Sequence, residues 1–144
     1  MITIRVSTLA DAQRVLDIWR RAVDATHDFL TSEDREAIER DVVGFLPTAP
    51  VLLAIKDGVP VGFMLLSEGH MEALFIDPDC RGSGVGRCLV EHALTLHPAM
   101  TTDVNEQNAQ AVGFYERLGF RRTGRSDLDG QGRAYPLLHL QYQG

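Results

Sequence analysis

The sequence predicts an α/β (α+β) fold in which a mixed, mostly antiparallel sheet is flanked by helices. Segments with strand and helix periodicity follow one another in the order β-α-α-β-β-β-α-β-α-β-β, which gives about seven strands and four helices. Hairpin signals join the early strands, whereas the later strand-helix-strand segment requires a parallel pair. Such a sheet places its ligand site at the carboxyl ends of the parallel strands.

The first third of the chain contains one strand and two helices. Residues 2–6 alternate between apolar and polar side chains, which is typical of a strand. Thr8 and Asp11 resemble a capping box for the amphipathic helix that follows, which we expect to end near Asp24. Ser32 is expected to cap the second helix because acidic residues follow it in the first turn.

The rest of the chain alternates between strands and helices. Strands are predicted at 51–56, 59–67, 70–77, 100–105, 120–126 and 134–142, and helices at 85–97 and 109–118. Asp129-Gly130-Gln131-Gly132 is the expected turn between the last two strands. We find no repeat or linker, so residues 1–144 are predicted to form a single domain.

Composition limits the possible partners. The 144 residues carry a formal net charge of -6, which disfavours nucleic acid and anionic membranes. No apolar stretch approaches the roughly 18 residues of a membrane span, and the N-terminus does not resemble a signal peptide. Cys80 and Cys88 are too few for a disulfide framework. We therefore expect a soluble cytoplasmic protein, either a monomer or a homodimer, without a metal.

The segment Arg81-Gly82-Ser83-Gly84-Val85-Gly86-Arg87 lies between a predicted strand and a predicted helix. Closely spaced glycines allow backbone N–H groups to converge, and the helix N-terminus adds partial positive charge. The two arginines supply local basic groups. These features predict a diphosphate site, and the alternative is a glycine-rich turn without a ligand.

A dinucleotide is the first competing ligand for this loop. The third glycine of the G-x-G-x-x-G pattern would fall on Arg87, so the pattern fails. Asp103 does lie about 20 residues downstream, as a ribose-binding acid would. The position of the loop in the middle of the chain, after a hairpin array, argues against this ligand.

Two motifs in series resemble those of the GCN5-related N-acetyltransferases. Arg81-x-x-Gly84-x-Gly86 resembles the motif that binds the coenzyme A pyrophosphate in that family. The run Asn108-x-x-Ala111-x-x-Phe114-Tyr115-x-x-x-Gly119-Phe120 is similar to the second family signature. The segments 24–30, 62–67 and 104–115 further resemble one bacterial branch of the family.

The resemblance implies the GNAT fold, with a splayed parallel pair of strands that holds the coenzyme. It implies acetyl-CoA as the donor in a direct transfer to an amine, within a ternary complex. Tyr115 takes the position of the general acid, and the amides near Phe75 take that of the oxyanion site. The implied coenzyme-binding residues are Leu74, Phe75, Ile76, Arg81, Gly82, Ser83, Gly84, Val85, Gly86, Arg87 and Asn108.

Three residues compete for the role of general base. His70 and Glu72 share one face of a predicted strand, and Asp103 lies on another. Packing is the alternative role for Tyr115, and helix capping is that for Asn108. His27 and Phe29 lie in a loop that shapes the acceptor pocket in the family, although an ordinary aromatic contact under that loop is the preferred role for both. The amine acceptor stays open, and the competing function is a coenzyme A-binding module with little or no catalysis.

Overall fold

The computed structural model describes residues 1–26 and 29–144, and its helices and strands follow the predicted order. The strands are β1 Ile2–Val6, β2 Leu52–Lys56, β3 Val59–Ser67, β4 His70–Ile76, β5 Thr101–Asn105, β6 Phe120–Ser126 and β7 Leu137–Tyr142. The helices are α1 Ala12–Thr26, α2 Ser32–Phe45, α3 Val85–Leu96 and α4 Ala109–Leu118. Short 3-10 turns occupy Leu9–Asp11, Leu46–Thr48 and Pro78–Cys80.

The seven strands form one mixed sheet in the order β1-β2-β3-β4-β5-β7-β6. The predicted fold class is confirmed, including the parallel pair, which is β4 with β5. This ladder contains only two residue pairs, His70 with Thr101 and Met71 with Thr102, although both strands continue beyond them. The parallel strands therefore pair at their N-terminal ends alone.

The chain divides into two compact units, and the first contains Met1–Leu66 and Ala73–Glu91. Its core is formed by apolar side chains of α1, α2, β2 and β3, since these elements turn one face each toward the interior. The fully buried members of this cluster are Ile18, Leu53 and Phe63. Phe75 of β4 packs against the same cluster.

The second unit contains Ser67–Glu72 and His92–Gly144. Here β5 lies beside β7, and β7 pairs with β6. Alternate residues of β5 and β7 are buried, which leaves the other residues of each strand on the opposite face. The buried side chains are Thr102, Val104, Leu138 and Leu140.

The start of α1 follows the sequence prediction, whereas the start of α2 differs by one residue. The Asp11 carboxylate accepts the Thr8 backbone N–H at 2.8 Å, so the predicted capping box is present. The cap of α2 is Thr31 rather than Ser32, and its hydroxyl accepts the N–H of Asp34. Both residues can cap a helix, and sequence alone does not separate neighbours with the same side-chain chemistry.

The last strand is shorter than predicted. It begins at Leu137 instead of residue 134, directly after Pro136, which has no backbone N–H for a ladder bond. The preceding turn forms as expected, because Gly132 donates its N–H to Asp129 O at 3.0 Å. In the described residues no helix is both long and apolar enough to cross a bilayer.

Candidate active site

The glycine-rich loop leads from the end of β4 into α3. Gly82 and Gly84 have φ values of 76° and 84°, a region that residues with a side chain rarely adopt. The first backbone bond of α3 runs from Cys88 N to Gly84 O. Within the described chain, the six backbone N–H groups of 82–87 make no hydrogen bond to protein. These donors therefore remain available to an anion.

Polar side chains lie along the same loop. Ser83 donates its hydroxyl hydrogen to Cys80 O, which closes the loop on itself. Arg87 pairs with Glu91 one helical turn later, at 2.6 Å, and 70% of its side chain is exposed. Exposed pairs of this kind contribute at most about 1 kcal/mol, so the Arg87 guanidinium can exchange its partner for a phosphate.

A buried carboxylate holds the chain immediately before the loop. Asp77 is 3% exposed and accepts hydrogen bonds from Arg14 and Arg21 of α1, both at 2.8 Å. Its other oxygen accepts the N–H of Asp79. Burial raises the pKa of the Asp77 carboxyl, but these donors outweigh it, and the net pKa lies below the ordinary value. Helix α1 therefore fixes the entry to the loop.

Gly62 on β3 allows close packing at the base of the loop. A Cβ atom there would lie 2.8 Å from the Ile76 side chain and 3.0 Å from that of Val85. It would also lie 3.3 Å from the backbone oxygen of Phe75. The absence of a side chain thus lets β3, β4 and the first residue of α3 approach one another.

One edge of β4 faces away from β3. Asp77 donates its backbone N–H to Val61 O of β3 at 2.8 Å. Eight residues earlier, Gly69 O accepts the N–H of Thr101 of β5 at 3.0 Å. Residues an even number apart face the same edge of a regular strand, so the alternation of β4 is interrupted between Gly69 and Asp77. The assignment of Leu74, Phe75 and Ile76 to an extended ligand stays a prediction.

We expect Gly84→Ala to weaken acetyl-CoA binding about tenfold. No atom lies within 4 Å of a Cβ at this position, so the cost is backbone strain at positive φ, about 1–2 kcal/mol. When the backbone relaxes to relieve that strain, the N–H groups of the loop no longer converge on one anion. Calorimetric titration measures the effect, and Gly130→Ala is the control, since a Cβ there also meets open space. Equal affinities for both variants would contradict this role of the loop.

Tyr115 lies on α4 in the second unit and is 7% exposed. Its ring contacts Phe114 and Phe120 edge-on, at centroid distances of 5.2 and 5.5 Å. Burial raises the pKa of the Tyr115 phenol well above its ordinary value. The hydroxyl has no hydrogen-bond partner within the described chain. The group is therefore a neutral donor that is not committed to another residue.

Asn108 caps α4, as the capping alternative predicted. Its Oδ1 accepts the N–H of Ala111 at 3.2 Å. The side-chain NH₂ group makes no hydrogen bond with the described residues. Capping thus uses only the acceptor of the amide and leaves two donors for a ligand.

The three base candidates belong to the second unit and differ in their partners. His70 Nδ1 lies 2.8 Å from Thr101 Oγ1, and its Nε2 lies 3.5 Å from Asp103 Oδ2. Glu72 is exposed on the same face of β4, and its carboxylate has no hydrogen bond or ion pair with the described residues. Among the described residues, His70 therefore lies within ion-pair distance of Asp103, whereas Glu72 has no partner.

Two residues that the sequence analysis missed complete this group. His139 of β7 places Nδ1 2.6 Å from Asp103 Oδ1, and Ser126 Oγ lies 2.7 Å from His139 Nε2. Asp103 and His139 are directly opposite in the β5–β7 register. The alternation of β7 between buried leucines and His139 indicates a polar face. That His139 lies beside Asp103 depends on a pairing between residues 36 positions apart.

The remaining predictions concern a metal site and the aromatic residues near the acceptor. No three His, Cys, Asp or Glu side chains in the described part of the chain are arranged to hold a metal ion. Of the two aromatic residues expected near the acceptor, His27 lies outside the described residues. Leu74–Ile76 and the loop 81–87 belong to the first unit, and His70, Glu72, Asn108 and Tyr115 belong to the second.

A mixed α/β sheet with a glycine-rich loop at a helix N-terminus is the arrangement predicted for a protein that binds a diphosphate-bearing coenzyme. The family described as "Acetyltransferase (GNAT) domain" matches residues 20–134. The chain belongs to this family of GCN5-related N-acetyltransferases. It is an N-acetyltransferase, which moves the acetyl group of acetyl-CoA to an amine.

The relatives also confirm the bacterial branch that the sequence motifs indicated. The chain is 58% identical over 143 residues to "Peptidyl-lysine N-acetyltransferase YjaB" of Salmonella typhimurium, with 99% of each chain covered. The solution structure of apo-form YjaB from Escherichia coli superposes with a TM-score of 0.95 at 57% identity, covering 100% of this chain and 99% of the other.

A more distant structure shares the fold. PaiA N-acetyltransferase from Thermoplasma acidophilum, solved in complex with coenzyme A, gives a TM-score of 0.81 at 19% identity, with 100% of this chain and 99% of that chain covered. The family match and the relatives together favour an enzyme over a coenzyme A-binding module with little catalysis.

Proposed function

We propose that this protein acetylates the ε-amino group of lysine side chains in proteins or peptides. The observation that carries the proposal is 58% identity, over 99% of both chains, to a relative named as a peptidyl-lysine N-acetyltransferase. The charge of the chain agrees with it, because a net charge of -6 attracts cationic acceptors. The exposed carboxylate of Glu72, which has no partner in the described part of the chain, lies on the strand face of His70 and suits a lysine ammonium.

The coenzyme is proposed to bind along the loop and the open edge of β4. The unpaired amides of residues 82–87 receive the pyrophosphate, with Arg81 and Arg87 as counter-charges. The pantetheine arm adds to β4 along Leu74, Phe75 and Ile76, and Asn108 donates to it from its side-chain NH₂ group. The same β4 amides stabilise the oxyanion of the tetrahedral intermediate.

Tyr115 is proposed as the general acid and His70 or Glu72 as the proton acceptor. A neutral phenol donates its proton to the leaving thiolate of coenzyme A. The acceptor amine arrives as an ammonium with a pKa near 10.4, so a base must remove a proton before attack. His70 and Glu72 share the strand face on which Asp103 approaches His70. The unpaired cysteines fit a reducing compartment such as the cytoplasm.

The experiment uses peptides that separate the two kinds of peptide amine. One peptide carries a single lysine and a blocked N-terminus, and its partner carries arginine at that position with a free N-terminus. We expect mass spectrometry to show acetyl-CoA-dependent modification of the lysine peptide and thiol release in proportion. Acetylation of the free N-terminus alone, or of small amines alone, would overturn the lysine assignment.

A further inference from the structure

Five side chains of the second unit form a continuous polar array. In order they are Thr101, His70, Asp103, His139 and Ser126, and Asp103 lies at the centre. The distances from the first pair to the last are 2.8, 3.5, 2.6 and 2.7 Å. Each histidine thus lies between the shared carboxylate and a hydroxyl.

The sheet brings these residues together from four strands. His70 and Thr101 are opposite in the β4–β5 ladder, and Asp103 and His139 are opposite in the β5–β7 ladder. Ser126 ends β6, the neighbour of β7. About a third of each of the His70, Asp103 and His139 side chains is exposed, so the array is accessible to solvent. The strands of the sheet therefore hold the array in place, and three of its side chains are partly exposed to solvent.

The partners determine where the protons lie. A carboxylate only accepts, so His139 donates its Nδ1–H to Asp103, and its Nε2 lone pair accepts from Ser126. His70 Nε2 lies 3.5 Å from Asp103 Oδ2, which is an ion-pair distance and longer than a hydrogen bond. With its proton on Nε2, His70 accepts the Thr101 hydroxyl hydrogen at Nδ1, and a proton then reaches this ring through Thr101.

We propose that the array is the proton acceptor of the transfer reaction, with Thr101 as the entry and Asp103 and His139 as positioning residues. The inference rests on the proposed function, because it assigns the base of that site. It adds Thr101, His139 and Ser126 to the residues on which catalysis depends. Glu72 then attracts the positively charged acceptor ammonium and does not remove its proton.

The step balances without a redox change. An N–H bond of the acceptor ammonium breaks, and its proton passes to Thr101 Oγ while the Thr101 hydroxyl proton moves to His70 Nδ1. The freed amine forms a bond to the acetyl carbon, the C–S bond breaks, and the thiolate takes the proton of Tyr115. His70 becomes an imidazolium that faces the negative charge of Asp103, as in other histidine–carboxylate pairs.

Other charged groups surround the array. Glu72 lies on the same face of β4, and His97 lies beside Gly69 at the start of that strand. Next to Ser126 on β6, Arg125 forms ion pairs with Glu106 and Asp127. The Arg125 pairs neutralise that cation locally, and Asp103 is the carboxylate that lies beside both histidines.

Kinetics test the proposal through the pH profile of kcat. We expect His70→Gln to lower kcat about 100-fold and to remove the acidic limb, since general bases contribute about that much or more. Asp103→Asn should lower kcat with an unchanged KM for acetyl-CoA, because an amide NH₂ group replaces one of the two oxygens that face the histidines. His139→Leu should lower kcat with an unchanged KM for acetyl-CoA, whereas His139→Gln, which retains an N–H donor, should recover part of it.

Thr101→Val keeps the shape of the side chain and removes the hydroxyl. It should lower kcat, while His92→Gln, which changes an exposed histidine of α3, should match the wild type. Thermal unfolding of each variant establishes that it is folded. Full activity of Asp103→Asn or of Thr101→Val would overturn the proposal.

NMR provides a test that needs no acceptor. The ¹⁵N shifts of the imidazoles should show the Nδ1–H tautomer for His139 and the Nε2–H tautomer for His70 near neutral pH, with His139 losing its preference in Asp103→Asn. The Nε2–H tautomer at His139 in the wild type would overturn the array. Failure of lysine acetylation with the expected tautomers would instead contradict the proposed function alone.

Discussion

Tyr115→Phe should lower kcat by about 100- to 1,000-fold and leave the KM for acetyl-CoA unchanged. The substitution keeps the aromatic ring and its edge contacts with Phe114 and Phe120, so the helix stays packed. It removes the one group of this side chain that can protonate the leaving thiolate. Stopped-flow or steady-state thiol release from acetyl-CoA measures the loss.

The raised pKa of the Tyr115 phenol also determines the alkaline side of the pH profile. Only the protonated phenol donates, and burial keeps it protonated above the ordinary pKa of about 10. Turnover by the wild type should therefore show no decline from this group up to that pH. Tyr142→Phe is the control, since this ring ends the same aromatic series at Phe120. Equal turnover by Tyr115→Phe and the control would exclude the general-acid role.

Asp77→Asn should lower the free energy of unfolding by about 3 kcal/mol near neutral pH. The carboxylate is buried and serves two arginines of α1, and removal of one member of a buried ion pair typically costs 3–5 kcal/mol. Arg14 and Arg21 are partly exposed, so we expect a loss at the lower end of this range. Because the loop follows directly, acetyl-CoA affinity should fall as well. Urea unfolding and calorimetric titration measure the two effects.

The pH dependence of this loss follows from the lowered pKa of Asp77. A carboxyl whose pKa is lower in the folded state stabilises the protein above its unfolded pKa near 4, and this contribution disappears as the pH falls through the folded value. The difference between Asp77→Asn and the wild type should therefore shrink in acid. Asp79→Asn is the control, since 79% of that side chain is exposed and, among the residues that the structure describes, its carboxylate pairs only with Arg21. A loss at neutral pH no larger than that of the control would contradict the assignment.

Local patterns determined the elements, and pairings between strands were harder to predict. Alternation and helical spacing predicted all seven strands and four helices, because each element buries one face. The parallel pair followed from the connection between β4 and β5. Boundaries shifted where neighbouring residues share a chemistry, as at Thr31, or where proline interrupts pairing, as at Pro136.

The residues of the candidate site also differ in how far the sequence alone could predict them. The glycine loop is contiguous, so its residues could be identified from sequence, and the structure adds that its amides are unpaired. Arg14 lies 63 positions from Asp77, and no local pattern connects them. His139 reaches Asp103 only because β7 inserts between β5 and β6 in the sheet order. The position of β7 between β5 and β6 is a property of the whole fold, and the spacing of residues along one sequence does not indicate it.

The central claim is that the amides of the glycine loop bind the coenzyme. Titration of ¹⁵N-labelled protein with acetyl-CoA, followed by amide NMR, tests it residue by residue. The largest shifts should fall on residues 82–87, with further shifts at Leu74, Phe75 and Ile76. Saturable binding that leaves the amides of residues 82–87 unchanged, or no binding of acetyl-CoA, would contradict the claim.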